Sequence, residues 1–424
     1  MKECNDMNYR QLQTPIRTIM TPGPVEVDPR VLQAMSTPIL GQFDPAFTEI
    51  MNEVMDMLRM IFQTKNKWAF PIDGTSRAGT EALLCSVIEP GDRVLVPIFG
   101  RFGHLLVEIC ERCGADVYTM ETAWGTVFEE KDIIEKINEV QPKVVAIVHG
   151  ETSTGSMQPL IEVGKICRGQ DRLLIVDAVA SMGGVNIPVD DWLIDGIIAG
   201  TQKCLSIPSG MSLITYNERI EEIIQRRKKV EYGIATEEDS KQNDTKTIQS
   251  NYLDLAMLQD YWSPRRLNHH TEATSMIYAL REGLRLVLEE GIYERFGRHQ
   301  YHEKALIEGI KGMGLELYGD PECKLPTVTC VKIPDGVDGD SVRQFMLEQF
   351  GVEIASSFGP LQGEIWRIGT MGYSCRKENI LKVLQALEAA LIRHGYEPNR
   401  GQAVEASLDF YEAPKFAKKS GVTQ

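Results

Sequence analysis

The sequence predicts an α/β protein in which a parallel sheet is covered by helices on both faces, followed by a smaller α/β unit. Three observations lead to this prediction. Short, continuously apolar and partly β-branched runs recur along the chain, amphipathic stretches alternate with them, and several runs end on polar or glycine-rich residues. The length of 424 residues is enough for two or more domains with a large buried core.

The elements of the larger unit follow one another in a regular order. After a polar lead-in, apolar residues at helical spacing between positions 47 and 61 predict an amphipathic helix. The buried strands are then predicted at 70–72, 94–96, 144–148, 173–176, 197–198 and 211–216. Residues from about 227 to 270 are polar in their middle part, and we expect a long loop region with few core contacts.

The smaller unit begins after a helix near residues 276–287. Its strands are predicted at 328–331, 352–354 and 365–368, and its helices near 340–350 and 377–394. The sequence therefore predicts a lead-in at 1–18, a large domain at 19–285, a small domain at 286–400 and a peripheral polar tail at 401–424.

Composition excludes several classes of function. The net charge of −15 argues against nucleic acid or an anionic membrane as the main partner. The first residues lack the apolar core of a secretory signal, and no apolar run reaches the ~20 residues that cross a bilayer. The nine cysteines are scattered, which is typical of a cytoplasmic protein rather than a disulfide framework.

One pair of cysteines has the spacing of a zinc or redox site. Cys110 and Cys113 form a single Cys-x-x-Cys, without a second such motif or a histidine pair at ligand spacing. The segment also reads as a helix with Leu106, Ile109 and Cys113 near one face. We therefore expect thiols that face the core, and no metal site.

A lysine and an aspartate mark the ends of two predicted strands. Asp177 ends the run at 173–176, and Lys203 follows the run at 197–198, 26 residues later. An enzyme that uses pyridoxal 5'-phosphate (PLP) needs such a pair. Its lysine forms a Schiff base with the cofactor aldehyde, and its carboxylate keeps the pyridine nitrogen protonated.

Other strand ends carry features that allow two interpretations each. The turn Gly74-Thr75-Ser76-Arg77 could bind a phosphate at a helix N-terminus or could simply cap that helix. Phe102 could stack on a flat ring or belong to the core, and the polar turn 149–155 could bind a phenolic oxygen or only reverse the chain. Arg367, inside an apolar strand, could pair with an internal acid or with a substrate carboxylate.

Taken in chain order, these motifs resemble the class V, fold type I aminotransferases, and among them the alanine/serine–glyoxylate group. The matching segments are Thr21-Pro22-Gly23-Pro24, His149-Gly150-Glu151-Thr152-Ser153-Thr154-Gly155, Asp177-Ala178-Val179-Ala180-Ser181, Gly200-Thr201-Gln202-Lys203 and Arg367-Ile368-Gly369. The resemblance covers roughly residues 15–395. It implies a mostly parallel seven-stranded sheet between helices, a smaller C-terminal α/β domain, and a homodimer whose active sites are shared between chains.

The resemblance also implies roles for individual residues. Lys203 would be the catalytic Schiff-base lysine, and Arg367 would bind the α-carboxylate of small 2-amino and 2-oxo acids. Gly23 would belong to the substrate site. The residues implied to bind PLP are Thr75, Ser76, Arg77, Phe102, Ser153, Asp177, Val179, Gln202, Lys203 and, from the other subunit, Thr271.

Two positions depart from the pattern of the alanine–glyoxylate enzymes. Gln42 stands where His is frequent, and Asn268 stands where Tyr is usual. Both changes place a carboxamide near the substrate, and an alanine methyl would leave such groups unpaired. We therefore expect an amino donor with its own amide or urea group, and the resemblance implies a donor that carries a ureido group, with glyoxylate as acceptor. The alternative is a donor such as alanine or serine, with the two amides bonded only to backbone or phosphate.

Two competing functions belong to other classes. A cysteine desulfurase shares the fold and the lysine but needs a mobile, exposed cysteine, which neither Cys330 nor Cys375 resembles. A protein of this fold could also have lost catalysis and serve as a binding module. The joint presence of Lys203, Asp177 and Arg367 favours an enzyme.

Overall fold

The computed structural model describes residues 11–236 and 247–413, and these form an α/β architecture. The first part of the chain, up to the third helix of the large unit, contains a short strand, three helices and a buried strand. These elements are β1 Thr18–Ile19, α1 Pro29–Ala34, α2 Pro45–Phe62, β2 Trp68–Asp73 and α3 Ser76–Val87.

The large unit continues with strands and helices in alternation. They are β3 Arg93–Ile98, α4 Arg101–Arg112, β4 Asp116–Glu121, α5 Glu130–Val140, β5 Val144–Val148, β6 Gly150–Glu151, β7 Ser156–Met157, α6 Ile161–Gly169, β8 Leu173–Asp177, β9 Gly196–Gly200, β10 Met211–Tyr216, α7 Glu218–Arg226, α8 Leu255–Trp262 and α9 Thr274–Glu290.

The remaining elements form the smaller unit. They are α10 Ile292–Gly312, β11 Val328–Lys332, α11 Gly339–Phe345, β12 Val352–Glu353, β13 Ala355–Ser356, β14 Ile365–Gly369, α12 Lys377–Arg393 and α13 Gln402–Glu412. A π-helical turn at Met346–Phe350 extends α11.

The central sheet has seven strands in the order β2-β10-β9-β8-β5-β3-β4. Only β10 runs antiparallel to its neighbours β2 and β9, while the pairs β9–β8, β8–β5, β5–β3 and β3–β4 are parallel. The strands β5, β8 and β9 are buried along their whole length, because helices cover both faces. The mostly parallel seven-stranded sheet is thus confirmed.

The parallel arrangement brings the predicted polar residues to one edge of the sheet. Asp177 is the last residue of β8, and Lys203 follows β9 by three positions. The ends of β2, β3 and β5 lead into the Gly74, Gly100 and His149 turns at the same edge. This is the edge at which open α/β sheets bind their ligands.

The N-terminal segment ties the two units together. Thr18 and Ile19 pair in parallel with Val352 and Glu353 of the small unit. The N–H of Met20 donates to the carbonyl of Glu353 at 2.8 Å, and Met20 lies fully buried in the core of the small unit. The chain then turns through Gly23 to the edge of the large sheet.

The region 227–270 differs from the expected loop with few core contacts. Arg227 is 6% exposed, and its guanidinium donates to the carbonyl oxygens of Cys85, Ser86 and Ile88 at 2.9–3.0 Å. Helix α8 buries Tyr261 and Trp262 almost completely. The polar centre of the predicted loop, 237–246, lies outside the described residues.

The segment after residue 400 also departs from the expected peripheral tail. Helix α13 packs on α10 of the small unit, and Ala403 and Ser407 are fully buried. Residues 414–424 lie outside the described part, as do residues 1–10 of the predicted lead-in. The domain boundaries given above stay predictions.

The eight described cysteines are all free, and burial raises the pKa of the Cys113 thiol to about 11. Across the described residues, every helix is too short or too polar to pass through a bilayer.

Candidate active site

A cavity of about 350 Å³ lies at the carboxyl edge of the central sheet. Most of the predicted site residues line it. The lining includes Gly23, Thr75, Ser76, Arg77, Phe102, Asp177, Val179, Gln202 and Lys203. These residues come from five separate segments of the chain, and the volume is within the usual range for a small-molecule site.

Lys203 and Asp177 face the cavity from adjacent strands. Asp177 is 7% exposed, and its Oδ1 accepts a hydrogen bond from the Val179 N–H at 3.0 Å. Burial raises the pKa of the Asp177 carboxyl to about 6. Burial and the positive charge of Arg367 lower the pKa of Lys203 to about 8. The lysine is therefore closer to its neutral, nucleophilic form than an exposed lysine at the same pH.

Gly23 forms the wall behind Lys203. The Lys203 Nζ donates a hydrogen bond to the Pro22 carbonyl oxygen. Gly23 has a φ of +102°, and a Cβ at this position would lie 2.5–2.8 Å from the Lys203 Cδ, Cε and Nζ atoms. Only glycine both adopts this conformation easily and leaves room for the lysine.

The N-terminus of α3 closes one end of the cavity. Thr75 is the N-cap residue of this helix, and Ser76 and Arg77 form its first turn. The Gln202 Nε2 donates to the Ser76 Oγ at 3.0 Å, which joins the turn to the segment that carries Lys203. The free N–H groups of a first helical turn and the adjacent Arg77 favour an anion here.

Phe102 and Ser153 are held by a buried acid that the sequence interpretation left without a role. The Glu151 carboxylate accepts hydrogen bonds from the Phe102 N–H at 2.8 Å, the Ser153 N–H at 2.9 Å and the Ser153 Oγ at 2.7 Å. A Cβ on Gly100 would lie 2.3 Å from the Glu151 Cγ, so this residue must be glycine for the acid to fit. Ser153 itself is fully buried and lies behind the cavity lining.

Glu151 could have been noticed in the sequence only as an acid inside a turn that ends a buried strand. Burial raises the pKa of its carboxyl, and the three donors oppose that shift. Its effect on the site is to fix the backbone at both Phe102 and Ser153. Glu151 is thus a positioning residue.

Arg367 projects from β14 of the small unit towards the large unit. Its Nε donates to the Ser356 carbonyl at 2.7 Å and its Nη1 to the Thr152 carbonyl at 2.8 Å. The Phe358 ring lies 4.6 Å from its guanidinium carbon. Within the described residues no carboxylate forms an ion pair with Arg367, so the internal acid partner that we had considered is not found there. Arg367 is 5% exposed, so carbonyl oxygens hold its buried guanidinium in place.

Three predicted site residues lie apart from the cavity. Gln42, Asn268 and Thr271 are grouped on the surface of the same chain, and Asn268 and Thr271 are exposed. The Gln42 Nε2 donates to the Asn268 Oδ1 at 3.0 Å, and the Glu272 N–H donates to the Gln42 Oε1 at 3.0 Å. The two amides are therefore bonded to each other, and they lie outside their own chain's cavity rather than near its lining.

The thiols do not fit a desulfurase site. Cys330 is 2% exposed and Cys375 is fully buried. Burial raises the pKa of both thiols to about 12. Neither can act as an accessible nucleophile in this arrangement.

Comparison with known proteins assigns the family. The family model described as "Aminotransferase class-V" matches residues 34–365, most of the chain. The chain belongs to the class V aminotransferases. The protein is thus an aminotransferase by family, and its substrates are small amino and oxo acids.

Two kinds of class V aminotransferase differ in their sequence identity to this chain. The chain is 66% identical to a (S)-ureidoglycine–glyoxylate transaminase of Bacillus subtilis, over 95% of this chain and 97% of that protein. It is 36% identical to an alanine–glyoxylate aminotransferase of Drosophila melanogaster, over 90% and 94%. The alanine–glyoxylate enzymes are therefore the more distant relatives.

Solved structures rank these two kinds of enzyme in the same order of similarity to this chain. The ureidoglycine–glyoxylate aminotransferase structure from Bacillus subtilis has a TM-score of 0.89 and 64% identity, over 95% of this chain and all of that one. An alanine–glyoxylate aminotransferase from Nostoc sp. has a TM-score of 0.85 and 39% identity, over 91% and 98%. A cysteine desulfurase from Thermococcus onnurineus shares the fold alone. Its TM-score is 0.67 and its identity 17%, over 87% of this chain and 92% of that one.

Proposed function

We propose that this aminotransferase uses PLP to transfer the amino group of (S)-ureidoglycine to glyoxylate, giving oxalurate and glycine. The observation that carries the choice of donor is the Gln42–Asn268 amide pair. The similarity to the Bacillus subtilis enzyme supports it. This reaction would place the enzyme in purine catabolism. The free, buried thiols fit an enzyme of the cytoplasm, as expected for a reducing compartment.

The cavity fits PLP by its chemistry. The N-terminus of α3 with Ser76 and Arg77 would hold the phosphate, and Phe102 and Val179 would enclose the ring. The buried Asp177 has one oxygen bonded to the Val179 N–H, which leaves the other for the pyridine nitrogen. When bound, PLP supplies the electron sink that stabilises negative charge at the substrate α-carbon.

The residues around this position account for the transfer. The Lys203 Nζ would remove the proton from the α-carbon of the donor, and its lowered pKa makes the amine available as a base near pH 8. Arg367 would bind the carboxylate that donor and acceptor share, because carbonyl oxygens already orient its guanidinium. Donor and acceptor would use one site at different times, and ping-pong kinetics follow.

The amide pair indicates which group of the donor it recognises. The Glu272 N–H can only donate, so the Gln42 atom that faces it must be the acceptor, Oε1. The Gln42 Nε2 then faces the Asn268 Oδ1, and the Asn268 Nδ2 is left to donate outwards. A ureido carbonyl is an acceptor for this donor, whereas the methyl group of alanine is not.

The amide pair reaches a cavity only if two chains share their sites. Ile39 and Phe43 on either side of Gln42 are 63% and 56% exposed, and such an apolar surface is typical of a protein interface. We propose a homodimer in which Gln42, Asn268 and Thr271 complete the site of the partner subunit.

The donor assignment is tested by exchanging the amides. We expect the double variant Gln42→His with Asn268→Tyr to lose use of (S)-ureidoglycine and gain use of alanine or serine. We expect Asn268→Asp alone to lower kcat/KM for (S)-ureidoglycine about 10- to 100-fold, since the amide donor that would face the ureido carbonyl is replaced by an acceptor. Glycine formation from glyoxylate is measured with each donor, and an unchanged donor preference would refute the assignment.

The cofactor assignment has a separate test. Purified protein should bind PLP and absorb visible light, and Lys203→Ala should lose that absorbance while Lys165→Ala, on the exposed face of α6, retains it. A wild-type protein that takes up no PLP would favour the alternative of a binding module without catalysis.

A further inference from the structure

A second group of polar side chains lies outside the cavity lining described above. Asp73 ends β2, directly before the Gly74 turn, while His270 and Glu272 lie between α8 and α9. The His270 Nε2 is 3.4 Å from the Asp73 Oδ2 and 3.8 Å from the Glu272 Oε2. One potential ligand atom from each residue lies within 4.8 Å of the others. These three residues are called the Asp73–His270–Glu272 cluster.

Hydrogen bonds around the two histidines fix which atom of His270 faces the carboxylates. The His269 Nε2 lies 3.4 Å from the Asn251 carbonyl, which can only accept, so this nitrogen carries the hydrogen. The Nδ1 atoms of His269 and His270 lie 2.8 Å apart and are bonded to each other. The remaining ring nitrogen of His270, Nε2, is the atom that faces the two acids.

The cluster brings three potential ligand atoms together in a buried place. Glu272 is 5% exposed, and across the described residues its Oε2, the Asp73 Oδ1 and the His270 Nε2 have no hydrogen-bond partner. Tyr261, 1% exposed, lies with its ring 4.9 Å from that of His270, and its hydroxyl lies beside the Glu272 carboxylate. Buried polar atoms without partners are costly, and buried carboxylates more so.

The ion pairs of the described residues join no lysine or arginine to Asp73 or Glu272. The guanidinium of Arg266 donates to the carbonyl of Thr48 and to the Asn52 Oδ1 rather than to the cluster. The two carboxylates and the His270 Nε2 therefore offer three ligand atoms with no lysine or arginine of the described chain between them.

We propose that the Asp73–His270–Glu272 cluster binds a divalent cation of the Zn²⁺ or Mn²⁺ type. Ligand atoms at about 2.1 Å from a tetrahedral ion are about 3.4 Å apart, close to the separations seen here. A set of two carboxylates and one imidazole suits these ions, whereas Ca²⁺ needs six to eight oxygen atoms. No sequence motif indicates this site, and the expectation of no metal site rested on the spacing of the cysteines alone.

The position of the cluster suggests what the ion does. Asp73 is followed directly by the turn that we propose binds phosphate, and Thr271 stands between the other two ligands. An ion would fasten the two segments to each other and fix the exposed Thr271 in place. This consequence rests on the proposed function, whereas the binding of the ion does not.

Metal binding to the tag-free holoenzyme tests the proposal without an activity assay. After treatment with a chelator, wild-type protein is titrated with MnCl₂, and bound Mn²⁺ is followed by calorimetry and electron paramagnetic resonance. We expect one ion per chain, a higher Tm, and tighter binding as the pH rises, because the ion displaces protons. Asp73→Asn and Glu272→Gln, which keep the side-chain shapes, should each weaken binding at least about 10-fold.

A matched control separates the cluster from other acids. Asp254, 3% exposed, caps α8 through the Ala256 N–H, and Asp254→Asn keeps that cap and should bind Mn²⁺ like wild type. Less than about a tenth of an ion per wild-type chain, or equal binding by Glu272→Gln, would overturn the proposal. The proposal would also be overturned if the Tm of wild type did not change with Mn²⁺ or Zn²⁺ but fell with rising pH, while the Tm of Glu272→Gln did not fall. That result would show that a shared proton occupies the cluster.

Discussion

Asp177 and Lys203 have ionisation properties that only a bound partner would balance. The pKa of Asp177 is raised to about 6, and that of Lys203 is lowered to about 8, in both cases first by burial. Each charged form is therefore disfavoured in the protein without PLP. The ionised forms of these two side chains therefore lower the stability of the folded protein when PLP is absent.

Replacement of Asp177 should stabilise the protein without PLP. Because the folded pKa lies above the ordinary value of 3.8, the contribution of this carboxyl to stability is full below that value and is lost as the pH rises through about 6. At pH 8 Asp177→Asn should recover up to about 3 kcal/mol, at 1.36 kcal/mol per pKa unit, and at pH 4.5 only about 1 kcal/mol. The test compares Tm of both proteins at these two pH values.

The same variant should bind PLP at least about 10-fold more weakly, because a neutral amide cannot pair with a charged pyridine nitrogen. Asp171→Asn, at a side chain that is 96% exposed, serves as the control for both measurements. An Asp177→Asn protein that is less stable than wild type at pH 8 would contradict the argument.

Lys203 should make the capture of PLP depend on pH. The neutral amine is the nucleophile, so the rate at which protein without cofactor takes up PLP should rise between pH 7 and 9, with a midpoint of about 8. Arg367→Gln removes a positive charge and should move that midpoint upwards. Stopped-flow absorbance gives the rates, and wild-type rates that keep rising about tenfold per pH unit beyond pH 9, without a plateau, would contradict a lowered pKa.

Residues at strand ends were the part of the site that sequence could predict. Asp177 and Lys203 each end an apolar run, and parallel strands necessarily bring such ends to one edge. Glu151 was missed because its donors, Phe102 and Ser153, become neighbours only in the fold. The Asp73–His270–Glu272 cluster was missed for the same reason, since 197 residues separate Asp73 from His270.

At the scale of elements, the turn before α1 is as important as any strand. Gly23→Ala should displace the Lys203 side chain, because the new Cβ would fall within 2.8 Å of three of its atoms. We expect PLP capture to fall by more than about 10-fold, the effect of 1.4 kcal/mol. Gly91→Ala is the matched control, because Gly91 also has a positive φ of +87° but has nothing within 4 Å of its Cβ position.

The pair of glycine variants separates backbone strain from crowding. Both should lose some Tm, because alanine is strained at positive φ. Only Gly23→Ala should lose PLP capture, as measured by equilibrium absorbance. Equal capture by the two variants would show that the contact with Lys203 is unimportant.

Elements were predicted where their pattern was apolar and missed where it was mixed. Strand β4, Asp116–Glu121, is an edge strand with no buried residue, so it has no apolar run to reveal it. Helix α8 follows a polar stretch, which hid the buried pair Tyr261 and Trp262. Helix α13 buries only the small side chains of Ala403 and Ser407, which carry little hydrophobic signal.

At the scale of the whole molecule, the proposed sharing of sites can be tested with mixed dimers. Lys203→Ala removes the lysine, and Thr271→Asp should repel the phosphate bound by the partner subunit. Each variant alone should be inactive. A mixed dimer would contain one site with both defects and one with neither, so random mixing should restore about a quarter of wild-type activity.

Refolding the two variants together and measuring glycine formation gives the result. The control mixes two differently tagged Lys203→Ala chains, which should remain inactive. No recovery in the true mixture, despite mixed dimers detected by mass spectrometry, would show that each site uses the residues of one chain only.

The pairing of β1 with the small unit has a consequence for how the enzyme is made. A ribosome releases Gly23 early and Arg367 late, yet Met20 needs Glu353 and Gly369 as partners before this wall of the cavity can form. A growing chain can build its sheet first, because domains fold as they emerge. PLP can therefore bind only when synthesis of the polypeptide is almost complete, and a chain that is cut short has no partial activity.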